Sequence, residues 1–317
     1  MKVLWVLVFL FLVALFPCEA RILNPEEARA LLHQMHEQTV ARDYWGIWQF
    51  SDRTTEERRF VEVFFLRGVG FAWRELGRDD TVNVRFGNCR YVVDLKSKEV
   101  KSVYPILEFP FAPFEGEDIP LLLENYLFDL RERELTLFSK RTMEAVCSFL
   151  LGEEGDIVGQ RVYAPQGEVL EEWKLLYRDT SPEFSWIAPL LHLLESFREK
   201  IPQPEPLALG FRGEVFLPDF IPPGFQLRRA YLLKDGTKQF YGFVYSDGLL
   251  SFLLLQSVYP FQVSGSNTFR YFLFAREKGK TRVAAEKRGF YFLLVGGLDP
   301  HLGQKVLQSL NERGGRK

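Results

Sequence analysis

Residues 43–95 read DYWGIWQFSDRTTEERRFVEVFFLRGVGFAWRELGRDDTVNVRFGNCRYVVDL. The stretch holds short runs rich in β-branched and aromatic residues, separated by polar or glycine-containing turns: Tyr44–Phe50, Arg59–Leu66, Gly70–Glu75, Thr81–Phe86 and Arg90–Leu95. Such runs are typical of β-strands. Because the connections are too short for crossover helices, we predict an antiparallel meander rather than βαβ units. Residues 96–99 are predicted to form a hairpin tip, from which Val100–Leu107 returns.

A capped helix is predicted before this sheet. Asn24 can cap the helix, Pro25 suits its first position, and Glu27 stands three residues after the cap. Apolar residues then recur at helical spacing from Ala28 to Met35. Beyond the sheet we predict helices at Asp118–Phe128 and Ser181–Lys200, and strands at Glu134–Phe138, Ala145–Leu151, Gln160–Ala164 and Leu170–Tyr177.

The proline-rich segment IPQPEP (201–206) marks a linker, because clustered prolines continue neither a helix nor a sheet. The unit after it combines strands with a final helix that starts at Asp299-Pro300, an α+β pattern. Its predicted strands are Arg228–Lys234, Lys238–Tyr245, Leu249–Gln256, Thr268–Arg276, Thr281–Lys287 and Phe290–Val295. We therefore divide the chain into residues 1–20, 21–200, a linker at 201–216, and 217–317.

The first twenty residues, MKVLWVLVFLFLVALFPCEA, have the layout of a secretory signal peptide. Lys2 precedes an unbroken apolar run, and Ala20 is a small residue at which a signal peptidase can cut. The run is short for a membrane-spanning helix. An uncleaved anchor and a lipidated Cys18 are the alternatives, although Pro17 fits a lipoprotein signal poorly. We expect cleavage after Ala20 and a location outside the cytoplasm.

Composition is that of a globular protein, with 47% hydrophobic and 26% charged residues. Residues 21–205 carry 23 Lys and Arg against 33 Asp and Glu, a balance of −10, whereas residues 206–317 carry 16 against 8, a balance of +8. The basic half can attract an acidic partner or an anionic membrane surface, or it can face the acidic half of the same chain. Cys89 and Cys147 remain after cleavage, and either a disulfide or two buried thiols fits their apolar surroundings.

Recognisable catalytic motifs are missing. The sequence has no nucleophile elbow, zinc-protease motif, phosphate-binding loop or dinucleotide fingerprint. His33 and His36 share a helix face but lack a specified third ligand, and the acidic pairs Glu153-Glu154 and Glu171-Glu172 are typical of solvated positions. We expect no cofactor, no metal and no enzymatic activity. The 30 phenylalanines form either an ordinary large core or a concave apolar surface that accepts an acyl chain or a peptide.

Three segments of the second unit resemble the C-terminal domain of the MucB/RseB family: LPDFIPPGFQL (217–227), YSDGLLSFLLLQ (245–256) and FYFLLVGGLDPHLGQKVLQSL (290–310). The motif positions, which we interpret as structural, are Pro222, Pro223, Gly224, Phe225, Ser246, Asp247, Gly248, Leu249 and Phe252. The opening helix and early strands resemble the LolA/LolB lipoprotein carriers in layout. Residues 108–118 correspond to nothing in the family pattern, and residues 257–267 match it only loosely.

The resemblance implies an α+β fold: a half-open antiparallel β-barrel with covering helices, of LolA type, followed by a smaller antiparallel sheet with a closing helix. It also implies a periplasmic negative regulator of envelope stress. Such a protein binds the periplasmic part of a membrane-anchored anti-sigma factor and senses an acylated ligand, lipoprotein or lipopolysaccharide, through an apolar cavity. Nucleic acid is not an expected partner. The basic residues expected to meet an acidic partner segment are Arg228, Arg229, Lys238, Arg282, Lys287 and Arg288.

Two other functions stay open from the sequence. A lipoprotein or lipid carrier would use the same cavity and would copurify with acylated ligands but without an anti-sigma factor. A secreted hydrolase with an unrecognised site would show convergent carboxylates or a nucleophile–base pair in a cleft.

Overall fold

The computed structural model describes residues 21–67, 70–77, 80–86, 89–97, 99–105, 111, 114–180, 205–206, 215–235, 238–259 and 281–312. The signal peptide of residues 1–20, the helix at Ser181–Lys200 and the strand at Thr268–Arg276 were predicted outside these ranges. Within them, no helix combines the length and the apolar character needed to cross a membrane.

The first unit is an antiparallel sheet of twelve strands in the order β1-β8-β9-β10-β11-β12-β2-β3-β4-β5-β6-β7. Consecutive strands pair within β2–β7 and within β8–β12, so two meanders are joined where β12 pairs with β2. The strands are β1 (Arg21–Ile22), β2 (Tyr44–Asp52), β3 (Glu57–Leu66), β4 (Gly70–Glu75), β5 (Thr81–Phe86), β6 (Cys89–Asp94), β7 (Glu99–Pro105), β8 (Tyr126–Arg131), β9 (Glu134–Ser139), β10 (Ala145–Leu151), β11 (Ile157–Tyr163) and β12 (Val169–Asp179). Among the described residues β1 and β7 do not pair, so the sheet is open, and the predicted half-open antiparallel architecture is confirmed.

Two helices accompany this sheet: α1 (Pro25–Thr39) and α2 (Ile119–Asn125), the latter preceded by a 3₁₀ turn at Gly116–Asp118. The predicted cap of α1 is confirmed, because the Asn24 side chain accepts from the backbone of Glu27 and the Glu27 side chain accepts from the backbone of Asn24. The prediction of a helix through Phe128 was wrong at its end. Tyr126 is extended, with φ −124° and ψ 150°, and starts β8, which pairs with β9. The side chains of Tyr126 and Phe128 are buried on the same face of β8.

The second unit is an antiparallel sheet of six strands in the order β13-β15-β16-β17-β19-β18, with a separate pair β14-β20. Its strands are β13 (Glu205–Pro206), β14 (Phe216–Pro218), β15 (Gln226–Asp235), β16 (Lys238–Ser246), β17 (Ser251–Ser257), β18 (Thr281–Lys287), β19 (Phe290–Gly296) and β20 (Leu310–Glu312), and its helix is α3 (Pro300–Gln308). Asp299 caps α3 by accepting from two backbone amides. The predicted α+β pattern is confirmed. Glu205 and Pro206, inside the predicted linker, pair with Leu232 and Tyr231 of β15.

Candidate ligand site and domain junction

The inner face of β2, β3, β4 and β12 carries a set of large apolar side chains that we call the aromatic cluster. Burial alternates along β2, so that Tyr44 and Trp48 lie on one face, and the register places Trp48 opposite Val61 and Tyr44 opposite Phe65. The cluster comprises Tyr44, Trp48, Val61, Val63, Phe65, Phe71 and Phe111, with Val40, Trp73, Trp173 and Leu175 partly buried against it.

Phe111 fills the middle of this cluster although it belongs to none of its strands. Its ring centroid lies 5.4 Å from Trp48, 5.3 Å from Trp173 and 6.1 Å from Trp73, each in an edge-to-face arrangement. Only 1% of Phe111 is exposed. The apolar inner face predicted to accept a ligand is therefore covered by a side chain of the same protein.

Three arginines border the aromatic cluster, and one of them, Arg178, lies 5.3 Å from the centroid of the Tyr44 ring. The Arg59 guanidinium lies 4.4 Å from the centroid of the Phe50 ring, which packs on Trp173, and the Arg90 guanidinium lies 5.4 Å from the centroid of Trp73. Arg59 reaches its acidic neighbours only at 3.5 Å, to Glu57, and 4.0 Å, to Glu75. The inner face thus combines an apolar floor with arginines at its rim, of which Arg59 and Arg178 are paired with carboxylates.

Phe114 lies in a second apolar cluster, between α1 and strands β8–β10. Its ring lies 5.8 Å from Phe149 and 6.4 Å from His36. The same cluster contains Leu122 of α2 and also Leu249, which comes from the second unit. Leu249 therefore anchors the second unit in the core of the first.

Polar contacts around Leu249 form what we call the domain junction: Asn125 and Tyr126 of the first unit with Gly224, Asp247 and Gly248 of the second. The Tyr126 hydroxyl donates to Asp247 Oδ2 at 2.7 Å, and Asn125 Nδ2 lies 3.2 Å from the Gly224 carbonyl and 3.0 Å from the Asp247 carbonyl. Burial and the neighbouring Asp247 carboxylate raise the pKa of Tyr126, so the hydroxyl stays a donor.

Two glycines of the sequence motifs allow this close approach. Gly224 has φ +90° and Gly248 has φ +100°, in the left-handed region that other residues adopt at a cost. A Cβ atom would lie 2.6 Å from Asn125 Oδ1 at position 224, and 2.8 Å from the Leu122 backbone nitrogen at position 248. Of the motif residues interpreted as structural, Gly224, Asp247, Gly248 and Leu249 thus lie where the two units touch, whereas Phe252 is fully buried in the core of the second unit.

Arg228 and Arg229 point to the first unit as well. The register of β15 shifts between Leu227 and Arg229, and this irregularity lets consecutive side chains reach the same loop. Arg228 donates to the Glu117 carbonyl at 2.8 Å and lies 3.5 Å from Asp118, while Arg229 donates to Glu117 Oε1 at 2.5 Å. For these two arginines, the basic half faces the acidic half of the same chain.

The other basic residues named from the sequence lie elsewhere. Arg282 and Lys287 belong to β18, and Arg288 lies in the turn after it. Four interstrand spacings separate β15 from β18, about 19 Å at about 4.8 Å per spacing. Lys287 donates to the Leu310 carbonyl, and Lys238 begins β16. The six residues therefore do not form one patch.

Other groups considered from the sequence are paired or buried. Glu154 binds Arg42 at 3.0 Å, and Glu172 binds Arg161 at 2.8 Å. Cys147 is a free, buried thiol, and burial raises its pKa to about 12. No group of three potential metal ligands occurs among the described residues.

Sequence reasoning found the motif residues of the junction but missed their partners. Asn125 and Tyr126 lay in a segment predicted to be helical throughout, and Tyr126 and Asp247 are 121 residues apart. Phe111 lay in the segment that matched no family pattern. Its isolation between prolines was the one local signal, and it did not indicate what the ring contacts.

Stability is expected to fall below about pH 6.5 in part through His36. Burial is the main cause that lowers the pKa of His36. A backbone hydrogen bond with Phe114 and the charge of Glu37 act in the opposite direction, and His33 and Arg85 lower the pKa further. The unfolded chain therefore takes up a proton at His36 at a higher pH than the folded chain does. Protonation then favours the unfolded state, so the free energy of unfolding decreases as the pH falls. Thermal melts between pH 7.5 and 5.5 should show a shallower loss for His36→Gln than for the parent. His301→Gln, at an exposed position on α3, is the control, and equal slopes for all three proteins would contradict this assignment.

Neither a protein-family model nor a curated protein matches the sequence. Solved structures do match in fold. The crystal structure of MucB is 13% identical in sequence and matches with a TM-score of 0.56. The match covers 91% of this chain and 98% of the MucB chain. The complex structure of MucA/MucB from Pseudomonas aeruginosa has 12% identity and a TM-score of 0.54, and covers 91% of this chain and 99% of its own. The resemblance carried by the sequence motifs is thus confirmed at the level of fold: over both of its units, this chain has the fold of MucB.

Proposed function

We propose that this chain is a periplasmic regulator that binds the periplasmic segment of a membrane-anchored anti-sigma factor and senses lipoprotein or lipopolysaccharide through the inner face of its first unit. The observation that carries the proposal is the agreement in fold with MucB over 91% of the chain, in both units together. One of the matching structures is a complex of MucB with MucA. The sequence features of an N-terminal signal peptide support export from the cytoplasm.

In this function the chain is a binding protein rather than an enzyme and needs no cofactor. If a ligand bound to the first unit regulates binding of the anti-sigma segment, the two binding sites must be coupled through a structural element that both units share. The junction of Tyr126 and Asp247 is such an element, because it joins the proposed sensing unit to the second unit.

Binding of the anti-sigma segment tests the proposal directly. The chain without residues 1–20 is titrated into a fluorescently labelled periplasmic segment of each membrane anti-sigma factor encoded in the same genome. We expect one segment to bind with a dissociation constant of about 1 μM or tighter, as a specific interface of ordinary size allows. Absence of binding to every such segment, with a chain shown to be folded by circular dichroism, would contradict the proposal.

The basic residues of the second unit provide a charge test. Arg228 and Arg229 are engaged by Glu117 and Asp118, and we propose that an acidic partner is met on the β18 side by the positions of Arg282 and Arg288. The double variant Arg282→Gln/Arg288→Gln should weaken binding of the anti-sigma segment several-fold and flatten its salt dependence. The matched double variant Arg228→Gln/Arg229→Gln removes the same charge at the junction and should leave the salt dependence closer to that of the parent. If the Arg228→Gln/Arg229→Gln variant instead weakens binding and flattens its salt dependence more than the β18 variant does, the partner would be assigned to β15.

A carrier of lipoprotein or lipid is the second candidate, and the aromatic cluster is the observation that favours it. A carrier of LolA type needs only the first unit, whereas here the second unit is anchored in the core of the first through Leu249. Acylated ligands that copurify with a chain that binds no anti-sigma segment would favour the carrier.

A further inference from the structure

We propose that residues 115–118, which we call the acidic turn, are a pH-sensitive latch between the two units, released when His36 takes up a proton. The acidic turn contacts His36 of α1 in the first unit and Arg228 and Arg229 of β15 in the second unit. The inference adds a conformational response to acid, and it requires neither an anti-sigma segment nor an acyl ligand.

The acidic turn is held together by its own hydrogen bonds. The Glu115 amide donates to Asp118 Oδ2 and the Asp118 amide donates to the Glu115 carbonyl, both at 2.9 Å. The turn continues directly into α2, which begins at Ile119. A displacement of the turn therefore moves its three carboxylates together.

Each carboxylate of the acidic turn is engaged by an arginine from another element. The pairs are Glu115 with Arg85 of β5, Glu117 with Arg229, and Asp118 with Arg228. The Arg85 side chain is only 17% exposed. Burial is the main cause that lowers the pKa of Arg85 to about 10, and the charge of Arg229 lowers it as well. The acidic turn thus offsets the repulsion between arginines that belong to different units.

His36 packs on the acidic turn at Gly116. A Cβ atom built on Gly116 would lie 3.8 Å from His36 Cδ2, an ordinary contact distance, and the ring of Phe114, just before the turn, lies 6.4 Å from the His36 ring. The charged and titratable groups around His36 are His33 and Glu37 on α1, Arg85 on β5, and Glu115, Glu117 and Asp118 on the acidic turn.

Protonation of His36 opposes this packing. Burial is the main cause that lowers the pKa of His36, and the charge of Arg85 acts in the same direction, although the backbone of Phe114 and the charge of Glu37 act against it. A proton on His36 adds a positive charge near Arg85. Release of the acidic turn lets water reach the imidazolium, so acid favours the released state.

Asp118 titrates in the opposite sense. Burial is the main cause that raises the pKa of Asp118, so a proton on this carboxylate favours the latched state. The direction of the response therefore distinguishes the two groups. Loosening of the junction on acidification is due to His36, and tightening would be due to Asp118.

Hydrogen exchange followed by mass spectrometry, at pH 7.5 and 5.5 and corrected for the intrinsic pH dependence of amide exchange, tests the latch in the chain without residues 1–20. Peptides that contain the Leu249 and Leu250 amides, which donate to Asp247, should exchange faster at pH 5.5. The increase should be several-fold and at most about tenfold, because an imidazole with a pKa of about 6.5 in the released state gains that factor over this range.

Low concentrations of urea separate release of the latch from global unfolding. Exchange through a local opening is nearly independent of urea, whereas exchange through global unfolding rises steeply with it. The faster exchange at pH 5.5 should therefore persist unchanged at low urea. An increase that rises steeply with urea would assign the pH effect to global unfolding and overturn the latch.

Four variants complete the test. His36→Gln should lose the faster exchange at pH 5.5, and His301→Gln, at an exposed position on α3, should retain it. Glu117→Gln, which removes a contact of the latch without changing His36, should exchange faster than the parent at both pH values. Glu153→Gln is its matched control, because this carboxylate is 88% exposed and lies outside the acidic turn.

The latch is overturned by exchange at the junction that does not change with pH, by an increase that His36→Gln retains, or by slower exchange at pH 5.5. Equal exchange in Glu117→Gln and Glu153→Gln would also overturn it, since the acidic turn would then not hold the units together. No binding partner takes part in these measurements, so their failure leaves the proposed function unaffected.

Discussion

Gly248→Ala is expected to lower the free energy of unfolding by about 3 kcal/mol. Two costs add at this position. The backbone has φ +100°, where an alanine is strained, and the new Cβ would lie 2.8 Å from the Leu122 backbone nitrogen in α2 of the first unit. Because the obstructing atom belongs to a helix backbone, no side-chain rotation relieves the contact, and the two units must move apart.

Gly289→Ala separates these costs. Gly289 has φ +77° but no heavy atom within 4 Å of its would-be Cβ, so only the backbone strain remains, about 1 kcal/mol. Urea unfolding should be followed by far-UV circular dichroism, which reports both units, and by tryptophan emission, which reports the first unit because the last tryptophan is Trp186. In Gly248→Ala, the unfolding transition followed by tryptophan emission should no longer coincide with the transition followed by circular dichroism. Equal losses for the two variants would show that the junction does not contribute to stability.

Asp247→Ala is expected to cost about 3 kcal/mol, the second large effect. The carboxylate accepts from the Leu249 and Leu250 amides at 2.9 and 2.8 Å through Oδ1 and from the Tyr126 hydroxyl at 2.7 Å through Oδ2. Its loss leaves a buried hydroxyl and two backbone donors without an acceptor. The free energy of unfolding, measured in urea, is the readout.

Asp299→Ala is the matched control for that variant. Asp299 also accepts from two backbone amides, those of His301 and Leu302, but it does so at an exposed helix start, where the loss of a cap costs about 1 kcal/mol. A double-mutant cycle of Asp247→Ala with Tyr126→Phe isolates the contact between the units, and we expect a coupling of about 1 kcal/mol or more. A coupling near zero, or a loss no larger than that of Asp299→Ala, would refute the role assigned to this pair.

Most strands could be predicted because their signals are local. The alternation of buried and half-buried residues along β2, and the capping of α1 by Asn24 with Glu27, involve neighbours within a few positions. The prediction failed at Tyr126–Phe128, where an apolar run fits both a helix and a strand. There the pairing of β8 with β9 decided the outcome, and no local preference indicates it.

The candidate site was predicted less well than the fold, and for a physical reason. The motif positions 224 and 246–249 were identified, but their interpretation as turn residues of the second unit was incomplete, since Asn125 bonds the Gly224 carbonyl across 99 residues of chain. The basic residues Arg228 and Arg229 were expected at a partner surface. The structure shows their charge engaged by Glu117 and Asp118, because a register shift in β15 turns both side chains to one loop.

By itself, the sequence determined the α+β class, most of the strands and the opposite charges of the two halves of the chain, because hydrophobic periodicity, turn chemistry and composition are properties of short segments. Only the tertiary structure decided what covers the inner face and what holds the units together. Phe111 among three tryptophans, Leu249 in the core of the first unit and Tyr126 on Asp247 are contacts between distant segments. Such contacts exist only once the sheet has formed and brought those segments to one place.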